Sequence, residues 1–159
     1  MNLKSKPALE KSILFLSSGT YLGYLPVASG TFGTLWGLPL FYWFSGQKLW
    51  IQTLLLIGAI LSAVFLAGQA ERIWGRKDPS RVVIDEIAGY LTAVLGFSFS
   101  WKTALTAFFL FRAMDIIKPY PIRKIDQGLP GGWGIVLDDV LAGIYCWIVL
   151  RLLIFYQVI

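Results

Sequence analysis

Five carboxylates lie inside or beside apolar stretches of this sequence, and four of them form two adjacent pairs. They are Asp85, Glu86, Asp115, Asp138 and Asp139. An ionised side chain at the centre of a membrane helix costs roughly 2.5 to 3.5 kcal/mol, so acids in such segments need compensating partners. Hard divalent cations take oxygen ligands, and Mg²⁺ typically combines a few carboxylates with water and substrate phosphate. The pattern therefore predicts a divalent metal site built from these acids.

Ion pairing with neighbouring cations is the alternative to a metal site. Arg112 and Asp115 are three residues apart, as are Asp115 and Lys118, so on a helix each pair shares one face. Arg112, Lys118 and Arg123 could neutralise the acids in salt bridges, and such pairs are compatible with a metal in the same cluster. Lys118 and Arg123 also flank two prolines that stiffen the chain, where they could contact a phosphate or simply set the topology.

A second candidate for phosphate contact lies in the segment 25–37, just before an apolar stretch. Its glycines and hydroxyls include Gly30, Thr31 and Thr34. Free amides and the helix dipole at the start of a helix favour an anion. The same residue types also serve as ordinary helix caps, and neither the Walker pattern nor Gly-x-Gly-x-x-Gly is present.

Residue types that the sequence lacks exclude several mechanisms. There is no histidine, which excludes a histidine nucleophile, a His-Asp relay and His-ligated zinc. Cys146 and Arg151 are one position short of the Cys-x5-Arg spacing, and a thiol among apolar residues is held protonated. No Asp-x-Asp motif occurs. Metal-activated water, or an isolated aspartate nucleophile supported by a metal, remains.

The composition is typical of an integral membrane protein. Hydrophobic residues make up 57% and charged residues 14% of the 159-residue chain, and the mean hydropathy is +0.67. Soluble domains are about a quarter charged, and a chain this short lacks the interior volume to bury such an apolar excess. The net charge of +5 is spread between apolar segments, which favours an anionic phospholipid partner over nucleic acid.

Apolar stretches of helical length predict a compact, membrane-embedded, all-α bundle of about five to six hydrophobic helices in one domain, 1–159. Residues 49–70 carry no charged side chain and are long enough as a helix to cross ~30 Å of hydrocarbon. Strands are not expected, because open sheets cannot satisfy their backbone in lipid. The other predicted helices are 34–44, 82–99, 101–117 and 135–159.

Basic residues are distributed unevenly among the predicted loops. If the five helices cross in turn, Lys48 and Lys102 lie on one side of the membrane. The other side holds Lys4, Lys6, Lys11, Arg72, Arg76, Lys77, Arg81, Lys118, Arg123 and Lys124. The positive-inside rule makes this second side cytoplasmic, and all five acids then lie at the cytoplasmic ends of helices.

Two of the acidic segments resemble each other. Residues 83–90 and 136–145 share an acidic pair followed by Ala-Gly and a tyrosine, with one extra residue before Ala-Gly and another before the tyrosine in the second copy. A paired half-site and a chance similarity between apolar helices both explain this.

Four motifs, in order over most of the chain, resemble the phosphatidylglycerophosphatase A family. They are Leu25-Pro26 with Ser29-Gly30-Thr31 and Gly33-Thr34, then Val83-Ile84-Asp85-Glu86-Ile87-Ala88-Gly89, then Phe111-Arg112 with Asp115-Ile116-Ile117-Lys118-Pro119 and Pro121-Ile122-Arg123, then Gly131-Gly132 with Gly134-Ile135 and Asp138-Asp139-Val140-Leu141-Ala142-Gly143. The last two are specific. The first departs from the family pattern, with Ser29 where proline is expected, Val27 where a basic residue is expected and Thr34 where serine is usual.

The resemblance implies a magnesium-dependent hydrolase that converts phosphatidylglycerophosphate into phosphatidylglycerol and phosphate. It places the enzyme at the bacterial inner membrane, and the predicted topology places the active site on the cytoplasmic side. The five acids carry over as catalytic groups and Mg²⁺ ligands. The predicted phosphate contacts are Lys118, Arg123, Arg112, Gly30, Thr31 and Thr34.

A small cation carrier or channel is the main rival to an enzyme. In a carrier, the acids should be spread through the depth of the membrane to form an ion path. Here they are expected at one face together with cationic residues, which suits an anionic substrate. A purely structural scaffold is a third possibility, but it leaves the acid pairs unexplained.

Overall fold

Residues 7–159, which the computed structural model describes, form an all-helical domain with no strand among them. The α-helices are α1 Pro7–Ser17, α2 Ser29–Ser45, α3 Leu49–Trp74, α4 Ile84–Ala93, α5 Trp101–Ile117, α6 Ile122–Gly128 and α7 Gly131–Phe155, with a 3-10 turn at Leu22–Tyr24. The predicted all-α class is confirmed for this part of the chain. Two of the basic residues used in the predicted topology, Lys4 and Lys6, lie outside the described residues.

Helix α7 is the central element, and it packs against α3, α4, α5 and α6. Its contact with α4 is so close that a Cβ added to Gly143 would overlap with the carbonyl oxygen of Gly89. A Cβ on Gly89 would lie 2.8 Å from the carbonyl oxygen of Asp139. The two self-similar acidic segments are therefore the segments that pack on each other, and glycine is required at their contact.

Aromatic side chains fill the interior between α2, α4 and α5. Phe41, Tyr90 and Phe111 are fully buried, and the Tyr90 ring contacts the other two edge to face. The Tyr90 hydroxyl donates a hydrogen bond to the carbonyl oxygen of Ala104 at 3.0 Å, so its polar end is satisfied. This core fixes α2, α4 and α5 relative to one another.

The predicted helix 82–99 is shorter than expected. Helix α4 has ten residues, which span about 15 Å at 1.5 Å per residue, or about half the hydrocarbon thickness. The chain leaves the helix after Ala93, and Gly96 has a left-handed backbone with φ of 74°. The Gly96 amide donates instead to the Gln52 side chain at 2.9 Å. The alternating five-span topology must be corrected, because α4 cannot cross a bilayer.

Two helices lie outside the five that the sequence predicted. Helix α1 precedes the first predicted helix, and α6 lies between the predicted helices 101–117 and 135–159. Helix α5, by contrast, has the bounds that were predicted for it. Its first turn is capped by the Ser100 hydroxyl, which accepts a hydrogen bond from the Thr103 amide at 3.0 Å.

Among residues 7–159, α3 is the one helix that is long and apolar enough to cross a membrane by length and composition. Large apolar side chains on it, including Leu54, Leu61 and Phe65, are exposed. The membrane embedding that was predicted for the whole bundle is therefore supported by this one helix alone.

Candidate active site

A polar cavity of about 310 Å³ lies where α2 and α4 begin, α5 ends and α7 enters the bundle. All five acids predicted from the sequence line it, so their predicted convergence is confirmed. The full lining is Ala28, Ser29, Gly30, Asp78, Ser80, Val82, Asp85, Glu86, Arg112, Asp115, Lys118, Ile135, Asp138 and Asp139.

Three of the acids form a cluster that fits a divalent cation. One carboxylate oxygen from each of Asp85, Glu86 and Asp139 lies within 4.8 Å of the other two. Asp85 Oδ1 and Glu86 Oε2 are buried without a hydrogen-bond partner, and so is Asp138 Oδ1, whose other oxygen is paired with Lys118. Buried polar atoms are almost always satisfied, so the two oxygens within the cluster favour a positive partner there. Oxygen ligands in this number suit Mg²⁺, which fills its remaining positions with water and substrate oxygens.

The electrostatics of the cluster lead to the same conclusion. Burial, followed by the charge of Glu86, raises the pKa of Asp85 well above its usual value. Burial raises the pKa of Glu86 to about 8, with the charge of Asp139 adding to the effect. Three acids this close cannot all ionise cheaply in a low-dielectric interior. A cation between them would favour the charged forms and reverse both shifts.

Local structure explains why the cluster forms. Asp85 and Glu86 occupy the first turn of α4, where the positive end of the helix dipole favours acidic side chains. Asp139 lies in the third turn of α7, at the close contact between α7 and α4 described above. The glycine contact therefore brings acids from two distant segments to one point.

The remaining two acids are paired with cations. Arg112 Nη1 donates to Asp115 Oδ2 at 2.7 Å, and Lys118 Nζ donates to Asp138 Oδ2 at 2.6 Å. Lys118 also lies 3.2 Å from Asp126. Asp115 and Asp138, which were also predicted as metal ligands, are thus ion-paired, whereas Asp85, Glu86 and Asp139 have a geometry that could hold a metal ion.

Lys118 has a conformation that the helical pattern does not predict. It ends α5 with a left-handed φ of 45°, so its side chain reaches Asp138 of α7 rather than Asp115 one turn back. Burial alone would lower the pKa of Lys118, but the hydrogen bond and charge of Asp138 and the charge of Asp126 raise it above its usual value. Lys118 is therefore a permanent cation on the cavity wall.

The predicted phosphate contacts separate into two groups. Gly30, Arg112 and Lys118 line the cavity, whereas Thr31, Thr34 and Arg123 do not. The buried Thr34 hydroxyl donates to the Gly30 carbonyl at 2.9 Å. Arg123 is exposed, with Nη2 3.5 Å from the carbonyl oxygen of Ile117. The first group is placed to meet a substrate in the cavity, and the second is not.

Gly30 is a point of close approach between α2 and the acids. A Cβ there would overlap with Glu86 Oε1 and would lie 3.1 Å from Arg112 Nη1. Because Gly30 lacks a side chain, the first turn of α2 can lie directly against the charged wall of the cavity.

Sequence reasoning missed the contribution of the loop between α3 and α4. Asp78 and Ser80 from this loop line the cavity. The Ser29 hydroxyl donates to the Ser80 carbonyl at 2.7 Å, which ties the loop to the start of α2. The only local signal was an Asp-Pro pair among basic residues, which is also typical of an ordinary loop.

Comparisons with known proteins agree on one family. The family model described as Phosphatidylglycerophosphatase A matches residues 15–154. The chain is 30% identical over 142 residues to a protein of Escherichia coli K12 named phosphatidylglycerophosphatase A, an alignment that covers 89% of this chain and 83% of the relative. It is 35% identical over 159 residues to a protein of the same name from Haemophilus influenzae, and that alignment covers 93% of this chain and 92% of the relative.

A third relative carries a different name. A Bacteroides thetaiotaomicron protein named provisionally as a phosphatidylinositol-3-phosphatase is 35% identical over 145 residues, covering 86% of this chain and 90% of the relative. No solved structure matches the chain.

Proposed function

The chain belongs to the phosphatidylglycerophosphatase A family of phosphoric monoester hydrolases, and we propose that it releases the terminal phosphate of phosphatidylglycerophosphate to leave phosphatidylglycerol. The observation that carries this proposal is the cavity, which combines a three-acid cluster with Arg112 and Lys118. A carrier is not favoured, because the acids lie together in one cavity rather than along a path.

We propose Mg²⁺ as the cofactor, held by Asp85, Glu86 and Asp139. The two orphaned carboxylate oxygens described above support this assignment. Such a cation supplies Lewis acidity, which draws charge from the phosphoryl oxygens and activates water for attack. Asp115 and Asp138 lie beside the cluster and hold Arg112 and Lys118 in place, so we assign them an orienting role.

Arg112 and Lys118 would stabilise the phosphate as charge is redistributed during transfer. Fixed cations in a water-poor site act strongly on developing charge, because they need no reorganisation when the reaction occurs. The Gly30 backbone at the start of α2 lies directly against these charged groups and borders the space that the phosphate would occupy. Arg112 Nε is buried without a partner, which leaves it a donor to spare for a substrate oxygen.

A lipid substrate is supported by an apolar groove of about 350 Å³ between α2, α3 and α4. Ile84, Ile87 and Leu91 line it from a different face of α4 than the two acids. Helices α2 and α4 both begin at the polar cavity, and the groove is lined by α4 from its first residue, Ile84, and by α2 from Trp36 onward. We propose that the groove receives an acyl chain of the substrate while the headgroup occupies the cavity.

We propose that the bundle lies in the bacterial inner membrane with the cavity toward the cytoplasm. Helix α3 supports a membrane location. The loop that contributes Asp78 and Ser80 to the cavity also carries Arg76, Lys77 and Arg81, and an excess of basic residues is typical of cytoplasmic loops.

Substrate choice is tested by phosphate release from purified protein in mixed micelles. We expect phosphatidylglycerophosphate to be hydrolysed with a kcat/KM well above that for phosphatidylinositol 3-phosphate at equal lipid fraction. A preference for the inositol lipid would contradict the proposed substrate but would support the phosphatase activity. Release from neither lipid, by protein that remains folded, would contradict the proposal.

A further inference from the structure

Asp78 is the one acid of the polar cavity that has neither an ion pair nor a place in the metal-type cluster among residues 7–159. It lies in the loop between α3 and α4, and its side chain is exposed at the mouth of the cavity. Asp85, in contrast, is a buried member of the same lining. A carboxyl group in this position is open to a substrate.

The backbone at Asp78 is held in an unusual conformation. Its φ is 44°, a left-handed value, although the next residue is Pro79 and residues before proline favour extended backbone. The loop is pinned around it, since Pro79 is buried and its carbonyl accepts from the Val82 amide at 2.8 Å. Such conformations persist where the surroundings impose them, and they concentrate at functional sites.

Neighbouring contacts hold the loop on both sides of Asp78. Lys77 Nζ donates to the Asp126 carbonyl at 3.1 Å, and Ser80 accepts from the Ser29 hydroxyl as described above. These two contacts tie the loop to α6 and to α2. Asp78 therefore borders the cavity from a loop that is held on both sides.

The geometry of phosphoryl transfer indicates what a carboxyl group in this position could do. The attacking and leaving oxygens lie roughly in line on opposite sides of phosphorus. If the phosphate lies against the Asp85 cluster and a water held there attacks, the leaving oxygen lies on the side of phosphorus away from that cluster. Within the described part of the chain, Asp78 is the acid of the lining that belongs neither to the cluster nor to an ion pair and that is exposed to solvent.

We propose that Asp78 is the general acid that protonates the leaving oxygen, an inference that rests on the proposed phosphatase activity. As the bond between phosphorus and the lipid oxygen breaks, the Asp78 proton moves to that oxygen and the lipid departs as an alcohol. The water oxygen forms the new bond to phosphorus. The proton that the water loses restores Asp78 through solvent, so the products are the alcohol and hydrogen phosphate.

The surroundings of Asp78 suit a proton donor. Although solvent reaches the Asp78 side chain, the cavity walls desolvate its carboxyl group enough to raise its pKa above the usual value, and Asp126 and Asp115 add to this shift. Lys118 and Lys77 act in the opposite direction. A general acid works best with a pKa closer to the working pH than that of a free aspartate.

The test replaces the leaving oxygen of the lipid by sulfur, because a thiolate leaves without needing a proton. Asp78→Asn should lower kcat/KM for the oxygen lipid by about 10²- to 10⁴-fold, but that for the sulfur lipid by less than about threefold. Glu71→Gln is the matched control, since it removes a carboxylate of α3 that lies outside the cavity lining and does not act on Asp78. It should change both substrates by the same factor.

Equal losses on both lipids for Asp78→Asn, or no loss on the oxygen lipid, would overturn the role. If the sulfur lipid is a poor substrate for the wild type, a nitrophenyl and an alkyl phosphate provide the same comparison of leaving groups. Asp78→Ser replaces Asp78→Asn if the amide fails to fold. A wild-type protein that releases no phosphate from the oxygen lipid would instead refute the proposed function, and this role with it.

Discussion

Gly89 of α4 and Gly143 of α7 lie so close that a Cβ on Gly143 would overlap with the carbonyl oxygen of Gly89. Four residues before each glycine stand Asp85 and Asp139, two members of the three-acid cluster. The distance between the helices at the glycines therefore sets the distance between the acids.

Gly143→Ala should separate α4 from α7 and weaken both the fold and the metal site. Overpacking of this kind costs roughly 1 to 3 kcal/mol. The thermal midpoint in detergent should fall, and the Mg²⁺ concentration for half-maximal phosphate release should rise. Gly58→Ala is the control, because a Cβ there meets nothing within 4 Å. An unchanged magnesium midpoint in Gly143→Ala would mean that this contact does not position the acids.

Lys118→Ala should raise the KM for the lipid and lower kcat, because a fixed cation stabilises phosphate before and during transfer. A loss of about 10²- to 10³-fold in kcat/KM is expected from the removal of one such group. Arg123→Ala should have a much smaller effect, since Arg123 lies outside the cavity lining. Steady-state kinetics on both variants decide this. Equal losses would restore Arg123 as a phosphate contact.

Narrowing the apolar groove should affect acylated substrate only. Ala59→Phe places a ring in the groove, whereas Leu54→Phe adds one on an exposed part of α3 outside it. The first variant should raise the KM for the long-chain lipid and leave kcat/KM for the deacylated headgroup unchanged. The second should alter neither. If Ala59→Phe impairs both substrates equally, the groove does not receive an acyl chain.

The orientation of the protein can be measured by cysteine labelling in intact cells. Cys146 is fully buried, which keeps the background low. A cysteine replacing Arg76, in the loop that lines the cavity, should react with an impermeant maleimide only after the cells are opened. Lys48→Cys, at the other end of α3, should react from outside. The reverse pattern would place the cavity on the periplasmic side.

Helix α5 and the convergence of the acids were predictable because both have strong local signals. Ser100 is a good N-cap, and Pro119 prevents the helix from continuing far beyond Ile117. The acids are adjacent in sequence within apolar segments, so their burial together follows from the cost of isolating them in lipid.

The end of α4 and the role of Asp78 were not predictable in the same way. Residues 94–99 are as apolar as the helix that precedes them, so their sequence does not mark the end of α4. Their irregular backbone is held by the hydrogen bond from the Gly96 amide to the side chain of Gln52, a residue that is distant in sequence. Asp78 reaches the cavity only because α2 and α6 hold its loop. Similarly, Lys118 bonds Asp138 through a left-handed backbone that a helical pattern cannot reveal.

The central claim, a divalent cation held by Asp85, Glu86 and Asp139, is tested most directly by binding of Mn²⁺ in place of Mg²⁺, followed by electron paramagnetic resonance. Wild-type protein should bind Mn²⁺ in competition with Mg²⁺, and phosphate release should follow the bound metal. Asp139→Asn should abolish tight binding and lower kcat by about 10²-fold or more, because an amide keeps the shape of the side chain and loses its charge. Asp126→Asn, a charge loss outside the cavity, should bind Mn²⁺ as the wild type does. Phosphate release that continues in chelator, or tight Mn²⁺ binding that survives Asp139→Asn, would contradict the claim.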